Sequence, residues 1–158
     1  MLVQEQCGRA TNGLAWAMHT APQWWADVAT DYQRGRWLLP AVRDEKHEAY
    51  AITEEFAGSD VSGLQSTARR DGDEYVIDGV KWHVTSYNLA DYLFVQARLV
   101  GGEYHGEHVL LVVDLPWPGV EIVARHTIRI TLPTSTRSLR STAYGFRCRT
   151  LSAPRARA

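Results

Sequence analysis

Two hydroxyl groups and a loop of small residues are the parts of this chain best suited to chemistry. Thr53 closes one predicted strand, next to the acid Glu54, and Thr85 closes another that runs through Lys81, Trp82, His83 and Val84. Between them, residues 57–63 read Ala-Gly-Ser-Asp-Val-Ser-Gly. Small residues let a chain turn while exposing consecutive backbone N–H groups, and such groups cradle phosphate oxygens. No Gly-x-Gly-x-x-Gly follows a strand and opens a helix, so this is not the phosphate site of a doubly wound dinucleotide fold. His105 and His108 lie three apart without a third ligand, and Cys7 and Cys148 have no zinc-site spacing, so no metal site is expected.

The elements that must position these groups are legible from periodicity. Leu2, Val3, Gln6, Cys7 and Ala10, then Leu14, Ala17 and Met18, recur at spacings of three and four, as on a helix. Pro22 suits the first turn of a second helix, which would carry Trp24, Trp25 and Val28 inward. Thr30 or Asp31 caps a third helix containing Tyr32, Trp37, Leu38 and Leu39, and Pro40 stops it. The period then changes to two. Strands are predicted at residues 49–53, 65–70, 74–77, 80–85, 91–100, 108–114 and 120–123, with turns at Asp71-Gly72-Asp73 and Asp78-Gly79. The predicted fold is α+β: N-terminal helices (1–46) followed by an antiparallel β-barrel or sandwich (47–128). Lys81 and Arg98 read as ordinary solvated charges.

Composition bounds the rest. The chain has 158 residues, 45% hydrophobic and 22% charged, the balance of a soluble globular protein. No apolar run approaches the roughly 18 residues that span a bilayer. No basic and apolar leader is visible, and the two distant thiols suit a reducing cytoplasm. All 18 acids precede residue 125, whereas residues 125–158 hold eight arginines and no acid. That basic stretch lacks the interleaved aromatic residues of a nucleic-acid arm. With its Ser, Thr and Arg, 129–158 reads as a disordered tail.

The stretch Ala51-Ile52-Thr53-Glu54, then Ala57-Gly58-Ser59-Asp60 and Gly63, resembles the signature of the acyl-CoA dehydrogenase family. The residues from Gly72 to Lys81, and Val84-Thr85 followed by Ala90-Asp91, continue the resemblance in register. It implies a FAD-dependent flavoprotein that removes two hydrogens from Cα and Cβ of an acyl-CoA thioester. It also implies an electron-transfer flavoprotein or another electron acceptor, and a homo-oligomer. By position, Thr53 hydrogen-bonds the pyrimidine side of the flavin, and Gly58 and Ser59 meet the pyrophosphate. Ser59 borders the acyl-CoA entrance, Thr85 lies near the reactive flavin nitrogen, and His83 stands where the family often has Trp against the ring. Tyr50, Ile52 and Val84 complete the expected cofactor wall.

Two departures stand out. The family usually has Pro-Gly where this chain has Glu55-Phe56. The family's C-terminal helical domain, which carries the carboxylate that abstracts the α-proton, has no counterpart, so no catalytic residue is assigned; Glu54 belongs to the strand motif and is not the base. The expected protein is a truncated acyl-CoA dehydrogenase, inactive alone. Alternatives are a flavin monooxygenase or nitroalkane oxidase on the same fold, or a non-catalytic remnant. The loss of acids and of periodicity near residue 129 suggests translation out of frame or a truncated gene.

Overall fold

The computed structural model describes Glu5, residues 21–130, residues 139–149 and Ala153–Pro154. The helical segment expected before Thr20 otherwise lies outside the described residues. α1 (Gln23–Val28) follows Pro22, which is its N-cap. Thr30 caps α2 (Asp31–Gln33) reciprocally: its hydroxyl accepts the Gln33 amide at 3.3 Å, and the Gln33 side chain accepts the Thr30 amide at 2.9 Å. The helix then passes through a π-helical turn (Arg34–Leu38) into α3 (Leu39–Val42). Pro40 was expected to end the helix. It sits instead in the first turn of α3, where the π-helical turn has already shifted the hydrogen-bond ladder around its missing amide.

The helices bury one stripe. Trp25, Ala29, Trp37 and Leu38 pack on Tyr92 and Phe94, and the Trp25 ring meets Phe94 edge-on at 4.8 Å. Trp24 and Val28, expected inward, are 42% and 69% exposed, because six helical residues present only one face to the sheet. Asp114 ties this layer down: it accepts the Trp37 indole N–H at 2.7 Å and the Arg36 guanidinium.

The sheet contains β1 (Glu48–Ala51), β2 (Thr67–Asp71), β3 (Glu74–Thr85), β4 (Tyr92–Val100), β5 (His108–Asp114), β6 (Val120–Ile130), β7 (Leu139–Arg149) and β8 (Ala153–Pro154). β4 is the hub. Its Tyr92 and Phe94 face the helices, while Leu93, Val95 and Ala97 join Ala49, Ala51, Ile77, Val84, Leu111 and Val113 in the second core. A strand buried on both faces reads as a continuous apolar run, as this one does. β5 pairs antiparallel along one edge of β4. Both β1 and β2 pair parallel to β4, at Tyr92–Val95 and Arg98–Val100 respectively. They therefore share its other edge, one following the other in the same lane, and residues 52–66 are a detour between them. The α+β class stands, but the sheet is mixed rather than antiparallel throughout.

Asp78-Gly79 is not a turn. β3 runs unbroken through it for 12 residues, antiparallel to β2. Gly79 is needed there for proximity: a Cβ on it would lie 2.1 Å from the Ser66 hydroxyl and 2.8 Å from the Ser66 Cα. Beyond residue 128 the strand content is also greater than expected. β6 continues to Ile130, through residues whose alternation already allowed a strand, and β7 pairs with both β3 and β6, where a disordered tail had been read.

Candidate functional site

The two motif segments meet at one edge. The backbone N–H of Trp82 donates to the Thr53 carbonyl at 2.8 Å. β3 is bulged there, its pairing with β7 shifting between Lys81 and Val84, and His83 takes the left-handed conformation at φ 52°. Such a φ is uncommon for a residue with a Cβ and persists where the surroundings hold it. The bulge exposes both Trp82 and His83, whose rings lie 5.9 Å apart and nearly perpendicular. It also turns Val84 into the core. Thr85 is half-buried, and its hydroxyl donates to the His83 carbonyl at 3.4 Å.

The loop after Thr53 is built in two steps. Glu54 and Ala57 exchange backbone hydrogen bonds of 3.0 and 3.2 Å, so Glu55 and Phe56 form a protruding tip with Phe56 77% exposed. Next, the Asp60 carboxylate accepts the Ser62 amide at 2.9 Å and the Ser62 hydroxyl at 2.7 Å, capping a short 3₁₀ turn, Val61–Gly63. These bonds hold the Asp60 carboxyl below its ordinary range. Gly58 and Ser59 lie exposed between the two steps. A Cβ added to Gly58 would meet nothing within 4 Å, and its φ is not left-handed. Neither packing nor backbone conformation demands glycine there; what it leaves open is approach to the backbone, which fits the cradle of a diphosphate.

Beneath the edge is a buried ion pair. Lys81 is 1% exposed and Glu54 8%. The Lys81 ammonium donates to Glu54 Oε1 at 2.7 Å and to the Ile52 carbonyl at 3.1 Å. Glu54 also accepts the amides of Gln65 at 2.6 Å and Ser66 at 3.0 Å. Burial pushes the Glu54 carboxyl up, but Lys81 and those neighbours outweigh it and hold it below the usual carboxylate range. Burial likewise lowers the Lys81 ammonium, against the pull of Glu54.

Lys81 was read as a solvated charge, and that reading is corrected. It follows Ile77 and Gly79 at alternate positions, so period two places it inward, where an ammonium needs a partner. Tyr50 lies farther along β1, its ring 5.0 Å from Phe94; burial, then Glu48, pushes its hydroxyl up to about 12. Ile52 and Thr53 are half-buried. A groove of about 600 Å³ opens alongside, lined by Glu55, Phe56, Gln65, Thr67, Val80 and Trp82 among others. None of the eight residues predicted to hold cofactor lines it. Among the described residues, no three His, Cys, Asp or Glu side chains are grouped as metal ligands would be. In the same residues, no helix is long and apolar enough to cross a membrane.

Known proteins share this fold. A family model, the acyl-CoA dehydrogenase middle domain, matches residues 49–139, more than half of the chain. The chain belongs to the acyl-CoA dehydrogenase family, a family of oxidoreductases. Among curated relatives, the 3-(aryl)acrylate reductase of Clostridium sporogenes is 41% identical over 71 residues, 45% of this chain and 19% of that one. The acyl-CoA dehydrogenase FadE29 of Mycobacterium tuberculosis is 34% identical over 91 residues, 57% of this chain and 24% of that one. A probable acyl-CoA dehydrogenase structure from Mycobacterium abscessus superposes with a TM-score of 0.67 at 29% identity, covering 85% of this chain and 34% of that one. A glutaryl-CoA dehydrogenase from Mycobacterium smegmatis, in complex with FADH2, shares the fold at a TM-score of 0.63 and 23% identity, over 84% of this chain and 31% of that one. The chain thus spans a fifth to a quarter of these two curated relatives.

Proposed function

We propose that residues 47–128 form the middle-domain wall of a flavin site in a FAD-dependent acyl-CoA dehydrogenase, with residues up to 46 as the end of its N-terminal helical domain. The Trp82–Thr53 backbone bond carries this reading, because it brings both hydroxyl-bearing segments to one edge, and the loop that leaves Thr53 carries the open Gly58 backbone. FAD, when bound, accepts the hydride that leaves the acyl Cβ. The Thr53 hydroxyl donates to the pyrimidine side of the ring. The Thr85 hydroxyl, which donates to the His83 carbonyl in the free chain, would be redirected toward N5, the atom that takes the hydride. The Gly58 and Ser59 amides hold the pyrophosphate, and Ser59 borders the acyl-CoA entrance. Tyr50, Ile52 and the His83 ring complete the wall, with Val84 contributing backbone because its side chain is buried.

No described residue takes the role of base for the α-proton. Glu54 is committed to Lys81 and two amides. These 158 residues therefore bind flavin without turning over acyl-CoA by themselves, and electrons in the whole enzyme pass to an electron-transfer flavoprotein or another acceptor. The test is to titrate the purified chain with FAD, following absorbance in the flavin bands, then add butyryl-CoA anaerobically. Bound flavin that stays oxidised is the expected result. A protein that remains colourless at saturating FAD refutes the flavin wall, and bleaching by the thioester refutes the lack of turnover. The likeness to a 3-(aryl)acrylate reductase favours a second reading, in which hydride leaves reduced flavin for an unsaturated aryl acid. Reoxidation of photoreduced, protein-bound flavin by cinnamate would favour that direction.

A further inference from the structure

We propose that Glu54 and Lys81 are a positioning pair, fixing the edge formed by Ile52, Thr53, Trp82 and His83 without touching the ligand that the edge holds. The role as a flavin wall rests on the reading above; the coupling of the pair to the edge does not. β1 ends at Ala51 and has no strand ladder to β3, so residues 52–54 lie beside residues 81–82 with a single backbone hydrogen bond, Trp82 to Thr53. The ion pair supplies what the missing ladder would. Lys81 grips the Ile52 carbonyl and Glu54 together, one residue before each partner of the Trp82–Thr53 bond or directly adjacent to it. Glu54 extends the grip to the amides of Gln65 and Ser66, where the detour rejoins the sheet.

Three chain segments, 52–54, 65–66 and 81–82, are thus held at one carboxylate and one ammonium. Stability alone does not account for this choice. An apolar pair of similar volume stabilises a core as well as, or better than, a buried ion pair. What an apolar pair lacks is direction: it cannot hold a carbonyl and two amide N–H groups at set distances. Directional contact matters beneath a bulge whose central residue, His83, is held at a left-handed φ. It also matters because Thr53 is the residue between Ile52 and Glu54, so its carbonyl and hydroxyl orientations follow from theirs.

The test uses the full chain and four proteins: wild type, Glu54→Gln, Lys81→Met, and the Glu54→Leu/Lys81→Met double variant. Three readouts are taken on each: urea midpoint, FAD affinity of the folded protein by quenching of flavin fluorescence, and hydrogen exchange of the Trp82 amide relative to that of Leu93 in the core. The double variant is expected to recover most of the stability lost in the single variants. Its Trp82 amide nevertheless exchanges at least tenfold faster relative to Leu93, and its FAD affinity falls at least tenfold. Wild-type Trp82 exchange in the double variant overturns the proposal and leaves the pair with a purely structural role. If wild type binds no FAD while Trp82 protection is lost in the double variant, the flavin reading fails and the positioning role holds. If the double variant does not fold, Glu54→Gln decides by the same Trp82 measurement: faster relative exchange supports the proposal, and unchanged exchange overturns it.

Discussion

Two glycines of the site region make opposite predictions, and the pair tests the physical reading of both. A methyl group at Gly79 would sit 2.1 Å from Ser66 Oγ, 2.5 Å from its Cβ and 2.8 Å from its Cα. The last is backbone, so no side-chain rotation relieves it, and β2 and β3 must separate. Overpacking of this kind costs about 1–3 kcal/mol. Separation also strains the 3.0 Å bond from the Ser66 amide to Glu54, and hydrogen bonds to charged groups are worth about 1.5–3 kcal/mol. Gly79→Ala should therefore destabilise by about 3–5 kcal/mol. With a urea m-value of about 2 kcal/mol/M, the midpoint falls by about 2 M. Adding Ser66→Gly removes two of the three clashing atoms and should recover roughly half of the loss. At Gly58 a methyl meets nothing, so Gly58→Ala should leave the midpoint unchanged while weakening FAD binding. Urea unfolding followed by tryptophan fluorescence reads all four proteins. A Gly79→Ala midpoint indistinguishable from wild type would refute the argument from close approach, and a large loss for Gly58→Ala would refute the argument from open space.

Further outcomes follow from other contacts. Asp114→Ala leaves the indole N–H of buried Trp37 unpaired and should cost about 1–3 kcal/mol in urea unfolding, whereas Asp114→Asn keeps an acceptor and most of the stability. Thr30→Ala removes a reciprocal cap and should cost about 1 kcal/mol, with Thr30→Ser near neutral by the same measurement. The Glu54 carboxyl titrates in the fold below its ordinary 4.5, so the unfolded chain binds the extra proton first. Its stabilisation is complete above about 4.5 and is lost as pH falls through the lowered value. Urea midpoints measured down to pH 3 should fall more steeply in wild type than in Glu54→Gln.

Much of this fold follows from local chemistry that a sequence displays. Thr30 announces its cap through Gln33, and the apolar run of β4 announces a strand buried on both faces. The bounds of β5 follow from its alternation and from Pro116. The misreadings share one cause: the deciding partner is distant in sequence. Asp78-Gly79 has the composition of a turn, and only the proximity of Ser66, 13 positions earlier, makes it strand interior. Lys81 has the composition of a surface residue until Glu54 arrives from 27 positions away. In β7, Tyr144, Phe146 and Cys148 alternate with Gly145, Arg147 and Arg149, but the arginine bias of the stretch obscured that period. Within the candidate site, the motif picked out the two segments that the Trp82–Thr53 bond joins, while the bulge that exposes His83 and buries Val84 could be found only in three dimensions.

The shared lane of β1 and β2 has a consequence for how such a site can vary. The chain leaves β4 opposite Val95 and returns opposite Arg98, so both ends of the 52–66 excursion are pinned within about 10 Å of strand length. Insertions or replacements inside it cannot slip the pairing on either side, because β4 sets each half independently. Lengthening such a loop costs little, on the order of 0.6 kcal/mol per doubling. The tip of the excursion, closed off by the Glu54–Ala57 bridge, behaves as an interchangeable insert, whereas Glu54, Gln65 and Ser66 at its two ends stay bonded to one another. A sequence change at its tip, such as Glu55-Phe56 in place of Pro-Gly, can therefore be accepted without refolding the sheet.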